Sequence, residues 1–163
     1  MLVAGIDYST RGIDIVLIDV DDILPPRQFA FPLTGQDAWE RTREVRNWGL
    51  LLSDDVLAVG LEQPRGHGSG ALYRVQGALL SRIPRWLLVQ PWIPSEWRRM
   101  IGLPGNAAKG RIENWVKTTD PTGSRDGWTQ DACDAYCIAL ATASAISAST
   151  SLDEFAALAG RRA

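Results

Sequence analysis

Between Val56 and Leu61 the chain runs through six consecutive apolar residues and then stops on a carboxylate, Glu62. A run this short and uninterrupted predicts a strand buried on both faces. Such strands belong in the middle of a sheet with helices on each side. The chain opens in the same way, with Leu2-Val-Ala-Gly-Ile ending on Asp7. Residues 12–19 place Ile13, Ile15 and Leu17 on one face, and Ser9-Thr10-Arg11-Gly12 supplies the turn before them, so a hairpin is expected. Pro25-Pro26 and Pro32 bound a third strand over 27–32.

Helical spacing takes over at about 35–52, where Trp39, Val45, Trp48 and Leu52 recur on one side. After the central strand, the loop Gly66-His-Gly-Ser-Gly70 leads into a helix over 71–82 that Pro84 stops. A strand is expected at 86–90, a short helix at 94–100 and a helix at 107–117 carrying Ile112, Trp115 and Val116. Residues 118–128 read as a loop and 129–147 as an alanine-rich helix. This order predicts an α/β fold with a mixed five-stranded sheet, an antiparallel meander followed by parallel crossovers, flanked by helices. The length of 163 residues suits one domain, here 1–148, followed by a tail over 149–163 with a short capped helix at 151–159.

Several classes drop out on composition. With two cysteines and one histidine, the chain supports neither a disulfide scaffold nor a Cys/His zinc site. No apolar run approaches the roughly 20 residues that span a bilayer. The N-terminus has no basic region and no cleavage site, so no signal peptide is expected and the cytoplasm is the expected compartment. The net charge of −2 conceals a partition. Residues 1–64 hold 5 basic and 11 acidic side chains, residues 65–125 hold 10 and 3, and residues 126–163 hold 2 and 5. A basic middle can follow a phosphate backbone, and acidic ends can hold divalent metal. Scattered solvated charge is the plainer reading of the same numbers.

The acidic ends contain a pattern. Asp7 and Glu62 each end a strand, and if those strands are parallel neighbours both side chains emerge at one sheet edge, where α/β sheets place their sites. Asp131 and Asp134 lie three apart on the alanine-rich helix and share a face. Singly each has an ordinary role: Asp7 as a turn residue, Asp131 as a favourable charge at a helix N-terminus. Together they repel strongly unless a cation intervenes. Two Mg²⁺ or Mn²⁺ ions about 4 Å apart would relieve that repulsion and would clamp both oxygens of a phosphodiester displacement. Cys133 and Cys137, one turn apart, read as buried packing, as do Trp86, Trp92, Trp97 and Trp115.

On these residues the chain resembles the RuvC-type Holliday-junction resolvases, within the ribonuclease H-like (retroviral integrase) superfamily. The likeness is carried by Gly5-Ile-Asp7-Tyr-Ser-Thr, by Val59-Gly-Leu-Glu62-Gln63, and by Asp131-Ala-Cys-Asp134-Ala-Tyr-Cys-Ile-Ala-Leu-Ala. Between them, 94–116 resembles the family's stretch of Pro, Arg, Gly and Ala-x-Lys-Gly, and the whole covers residues 3–146. The resemblance implies a ribonuclease H-like nuclease domain and a homodimer. Each protomer would nick one strand of a four-way DNA junction, in recombination, repair or replication. Asp7, Glu62, Asp131 and Asp134 fall at the family's catalytic metal-ligand positions, and Lys109 falls near a basic residue that approaches DNA. The helix after Glu62 lies in relatives near the dimer interface and the junction. Arg65, Arg74, Arg98, Lys109, Arg111 and Lys117 are the basic residues expected on phosphates. Some relatives carry a stacking aromatic soon after the second carboxylate. Here Pro64-Arg65 stand in its place and the nearest aromatic is Tyr73, so junction distortion is expected to use Arg65 or Tyr73, or to be weaker.

Other readings stay open at this level. A related nuclease acting on forks, flaps or RNA–DNA hybrids would use the same metal site. A non-catalytic junction binder would keep the fold. An actin-like phosphate-binding lobe would explain Gly5-Ile-Asp7 but leaves Asp131 and Asp134 without a role and needs a second lobe.

Overall fold

The computed structural model describes residues 1–21, 23–47, 52, 55–64, 70–120 and 122–149. Arg65, His67, Trp48, most of the glycine-rich loop and the expected helix at 151–159 lie outside these residues. Five strands form one sheet: β1 (Leu2–Tyr8), β2 (Gly12–Asp19), β3 (Arg27–Pro32), β4 (Val56–Glu62) and β5 (Leu88–Trp92), in the order β3-β2-β1-β4-β5. β1, β2 and β3 pair antiparallel, and β1–β4 and β4–β5 pair parallel. This is the mixed sheet expected from the strand order, and the all-apolar β4 is internal, as its burial requires.

The helices are α1 (Ala38–Asn47), α2 (Gly70–Leu80), α3 (Pro94–Met100), α4 (Lys109–Thr118) and α5 (Gln130–Ala148). Val45 of α1 and Val75, Ala78 and Leu79 of α2 pack on the face made by Ala4, Ile6, Val59 and Leu61. On the opposite face, Val3, Val16 and Ala58 meet Trp97 of α3, Ile112 and Val116 of α4, and most of α5. Strand alternation therefore aims Val3, Gly5 and Asp7, and likewise Ala58, Gly60 and Glu62, toward α5.

Element boundaries move where a cap or turn decides them. α1 begins at Ala38, three residues later than its periodicity implies, because Asp37 Oδ1 accepts the amides of Trp39 (2.7 Å) and Glu40 (2.9 Å). α2 closes at Leu80, and the chain tightens through Arg82 N–H to Leu79 O (2.9 Å) and Ile83 N–H to Leu80 O (3.2 Å) before Pro84. The Leu87 amide then closes a turn on the Pro84 carbonyl (3.0 Å), so β5 starts at Leu88 and Trp86 is left exposed outside the strand. Pro91 is tolerated because β5 is an edge strand. Thr129 caps α5, its Oγ1 accepting the Ala132 amide at 3.2 Å.

The expected loop over 118–128 is ordered around one carboxylate. Asp120, its side chain only 3% exposed, accepts from the Thr122 hydroxyl (2.6 Å) and amide (3.0 Å), the Ser124 hydroxyl (2.9 Å) and the Arg125 amide (2.8 Å). The Arg125 guanidinium lies 4.3 Å over the Tyr136 ring, and Trp128 meets the same ring edge-on at 5.7 Å. Asp120 thus organises the loop, and Arg125 and Trp128 tie it to Tyr136 of α5. These donors, the Thr122 hydroxyl first, hold its carboxyl well below the usual range. A depressed carboxylate adds stability above its unfolded pKa of about 3.9, and that stability disappears as pH falls through the folded value. Asp120→Ala is expected to lower the melting temperature at neutral pH, with the deficit shrinking below about pH 4; scanning calorimetry across that range checks it.

Candidate active site

Two glycines decide where α5 can lie. Gly5 and Gly60 are register partners on β1 and β4. A Cβ on Gly5 would collide with the Ala135 carbonyl and the Ala139 amide of α5 and stand 2.9 Å from Ala139 Cβ. On Gly60 it would meet Thr142 Oγ1 and stand 2.9 Å from Ile138 Cγ2. The helix is seated directly on the sheet at these two points. Thr142 Oγ1 fills the gap over Gly60, accepting from Trp92 Nε1 (2.8 Å) and donating to the Ile138 carbonyl (2.8 Å). Seated this way, the N-terminal turns of α5 reach the edge where β1 and β4 end.

Asp7, Glu62, Asp131 and Asp134 are therefore gathered at one sheet edge, from two strands and one helix. Asp134 is buried, and Gln130 Nε2 donates to its Oδ1 at 2.8 Å. Glu62 accepts the indole N–H of Trp97 on Oε2 at 3.0 Å, and its backbone carbonyl accepts the Tyr8 hydroxyl at 2.7 Å. Asp131, 48% exposed, lies 3.8 Å from Lys109 Nζ at the start of α4. Burial raises the Asp7 carboxyl well above its ordinary value, and the charges of Asp134, Glu62 and Asp131 push it further, against a smaller pull from Lys109. Asp134 is pushed up to about 6, mainly by burial, with Glu62 adding and Gln130, Lys109 and Arg98 opposing. Excess negative charge at a half-enclosed edge is what a divalent cation relieves.

The donor chemistry fits such a cation, because every candidate ligand is a carboxylate oxygen, the type preferred by Mg²⁺ and Mn²⁺. Among the described residues no three Asp, Glu, His or Cys side chains close on a common point as they stand. Asp131, with its exposed side chain and single long ion pair, is the member with most freedom to turn inward.

Two solved structures share the fold that carries this edge. The Thermus thermophilus RuvC structure aligns with a TM-score of 0.67 at 20% sequence identity, over 88% of this chain and 94% of that chain. T. thermophilus RuvC in complex with Holliday junction substrate aligns with a TM-score of 0.71 at 19% identity, over 92% of this chain and 98% of that chain. The chain has the fold of RuvC. That is the ribonuclease H-like fold which the sequence resemblance implied. The sequence matches no protein-family model and no curated protein.

On this RuvC fold the basic residues separate by position. Lys109 stands beside the carboxylates, and Arg111 is exposed on the same first turn of α4, two residues on and so turned to another side of the helix. Arg98 lies lower: its guanidinium is 5.0 Å over the Trp97 ring, Nη1 donates to the Gly105 carbonyl (3.3 Å), and Nε is buried without a partner. Half-buried, it also draws down the Asp134 carboxyl by its charge. Lys117 sits at the far end of α4, paired with Glu113 at 2.7 Å, about two turns of helix from Lys109. Tyr73 and Arg74 belong to α2 on the opposite face of the sheet. Tyr73 is exposed, with its hydroxyl donating to the Pro64 carbonyl (3.2 Å), and Arg74 lies 4.6 Å over the exposed ring of Trp39.

The structure also brings in residues the sequence reading did not single out for the site. Asp14 is the antiparallel partner of Asp7, so the two side chains share a face. It is half-buried, accepts from Gln28 Nε2 at 3.3 Å, and is raised by burial and then by the charge of Asp131. Gln130 and Trp97 each hold one of the four carboxylates. Only Asp14 had a local signal, namely the register that the Ser9–Gly12 turn imposes. Both cysteines are buried with raised thiols, Cys133 to about 11, which suits packing.

Proposed function

We propose that this protein is a divalent-metal-dependent endonuclease that resolves four-way DNA junctions by paired nicks. The observation that carries the reading is the carboxylate edge itself: half-buried Asp7 stands among Asp134, Glu62 and Asp131, whose charges act on it, on a fold seen in RuvC bound to a Holliday junction substrate. Two Mg²⁺ ions, or Mn²⁺ in their place, held by Asp7, Glu62, Asp131 and Asp134 would supply a low-pKa water and neutralise charge on the scissile phosphate. The protein's own groups do the rest. Asp7 and Glu62 fix the inner wall of the site from rigid strand ends, while Asp131 and Asp134 form the opposite wall from α5. Lys109 holds positive charge at the mouth, where a phosphate enters beside Asp131. Arg111 extends that charge along the exposed start of α4. Arg98 balances the buried side of the cluster from below.

Paired nicking needs two sites, so the working unit is a homodimer. Exposed Tyr73 and Leu80 on the outer side of α2 favour that helix as the surface that meets the partner protomer and the junction. Among the described residues no helix is long and apolar enough to cross a membrane.

The test is nicking of a synthetic four-way junction beside linear duplex, a splayed fork and an RNA–DNA hybrid, with Mg²⁺, Mn²⁺ or EDTA. Metal-dependent symmetric nicks in the junction alone are the expected result. Cleavage of the hybrid with an intact junction would move the protein to a ribonuclease H-type activity. Junction binding with no cutting in either metal would leave a binding module.

A further inference from the structure

The second carboxylate of the site is held by a side chain from the core. Glu62 ends β4, and its register partner on β5 is Trp92. The chain leaves Trp92, passes Ile93 as the cap, and starts α3 with Pro94 in the first turn, where proline suits helix entry. The amide of Trp97 donates back to the Ile93 carbonyl at 3.2 Å. This tight strand-to-helix exit returns Trp97 over the end of β4. Its ring is fully buried, and its Nε1–H donates to Glu62 Oε2 at 3.0 Å. Arg98 closes the arrangement with its guanidinium 5.0 Å from the same ring.

We infer that Trp97 is a positioning residue for the metal site, setting the orientation of the Glu62 carboxylate through its indole hydrogen bond. This rests on the metal-site reading above. Glu has more rotatable bonds than the three aspartates, so it is the member most in need of an orienting partner. An indole has one donor and no acceptor, so its hydrogen bond favours the ionised, ligating form of the carboxylate over the protonated acid. Locked by the core on all sides, the indole fixes where Oε2 sits and hence which way the carboxylate plane faces. Partners of this kind behind a metal ligand commonly change metal affinity by about 10-fold to 100-fold when removed. Phenylalanine would keep an aromatic ring at this place; tryptophan adds the indole donor.

The fold contains its own control. Trp92 is also fully buried, and its indole N–H donates to the hydroxyl of Thr142 at 2.8 Å. Trp97→Phe and Trp92→Phe each delete one buried indole hydrogen bond and keep an aromatic ring. Both are expected to lower the melting temperature. Trp97→Phe alone is expected to weaken Mg²⁺ binding by about 10-fold in titration calorimetry and to raise the Mg²⁺ needed for half-maximal nicking by the same factor. In wild-type protein labelled at the indole nitrogens, the Trp97 N–H resonance is expected to shift on adding Mg²⁺, while that of exposed Trp86 stays in place. This measurement needs no variant to fold. Equal Mg²⁺ affinity in Trp97→Phe and wild type, or a Trp97 resonance that ignores Mg²⁺ while the wild type demonstrably binds it, overturns the inference and leaves the metal-site reading intact. Wild-type protein that neither binds Mg²⁺ nor cuts any of the substrates overturns both.

Discussion

Asp7→Asn is expected to stop junction cutting, by about 10³-fold or more, and at the same time to raise the melting temperature of the metal-free protein. The loss follows from the proposed metal site: a bound ion would supply several kcal/mol of transition-state charge stabilisation, and each 1.36 kcal/mol is about a factor of ten in rate. The gain follows from electrostatics. In the unfolded chain Asp7 ionises near the usual carboxylate value of about 3.9. In the fold, burial and then the charges of Asp134, Glu62 and Asp131 keep the proton on to higher pH. The native state therefore binds this proton more tightly, and stability is lost as pH rises from about 4 through the folded pKa. Asp134, raised to about 6, adds a loss in the same direction. Asparagine is uncharged, so the variant escapes the Asp7 cost at pH 7 and gains nothing below about pH 4, where Asp7 is protonated in both states. Mg²⁺ at about 100-fold over its Kd is expected to raise the wild-type melting temperature by about 5–10 °C, and the Asp7→Asn variant far less. Thermal melts in EDTA and in Mg²⁺ check both halves. A metal-free variant no more stable than wild type at neutral pH would remove Asp7 from the repulsive cluster.

That pairing of lost activity with gained stability marks a residue placed for chemistry, and here the sequence was informative. Asp7 and Glu62 are legible as strand-end carboxylates because the apolar runs before them are unambiguous. The parallel pairing of β1 with β4 then puts them side by side. Asp131 and Asp134 are legible as one helix face. What periodicity does not carry is the contact between elements distant in sequence. The grip of Trp97 on Glu62 depends on the register of β5 and the angle at which α3 leaves it. Register in turn depends on the Pro84 turn, which displaces β5 by two residues from its apolar run. Arg98 illustrates the same limit. As a sequence feature it is one more arginine in a basic stretch, yet its guanidinium stacks on a core tryptophan instead of standing in solvent. Charge patterning located the basic segment; only packing divides it into Lys109 at the site, Arg98 stacked on Trp97 and Lys117 paired with Glu113 about two turns away.

Gly5→Ala is expected to be the most damaging glycine-to-alanine change among the described residues. The added Cβ would collide with the backbone of α5 at Ala135 and Ala139, and stand 2.9 Å from Ala139 Cβ. Neighbouring side chains can rotate away from an intruding methyl, but a helix backbone can yield only by moving as a unit. The cost belongs at the upper end of overpacking, about 3 kcal/mol, or a fall in melting temperature of about 6–12 °C for a domain of this size. Displacement of α5 also carries Asp131 and Asp134 away from Asp7 and Glu62. Metal affinity is therefore expected to fall even in the molecules that remain folded. Gly77→Ala on α2 supplies the opposite case, because nothing lies within 4 Å of the new Cβ. There the same substitution relieves the entropy cost of a helical glycine and is expected to stabilise by about 0.5–1 kcal/mol. Thermal melts and Mg²⁺ titrations of the two variants separate the effects. If Gly5→Ala melts like wild type, α5 is not seated on β1, and the four carboxylates lose the element that brings them together.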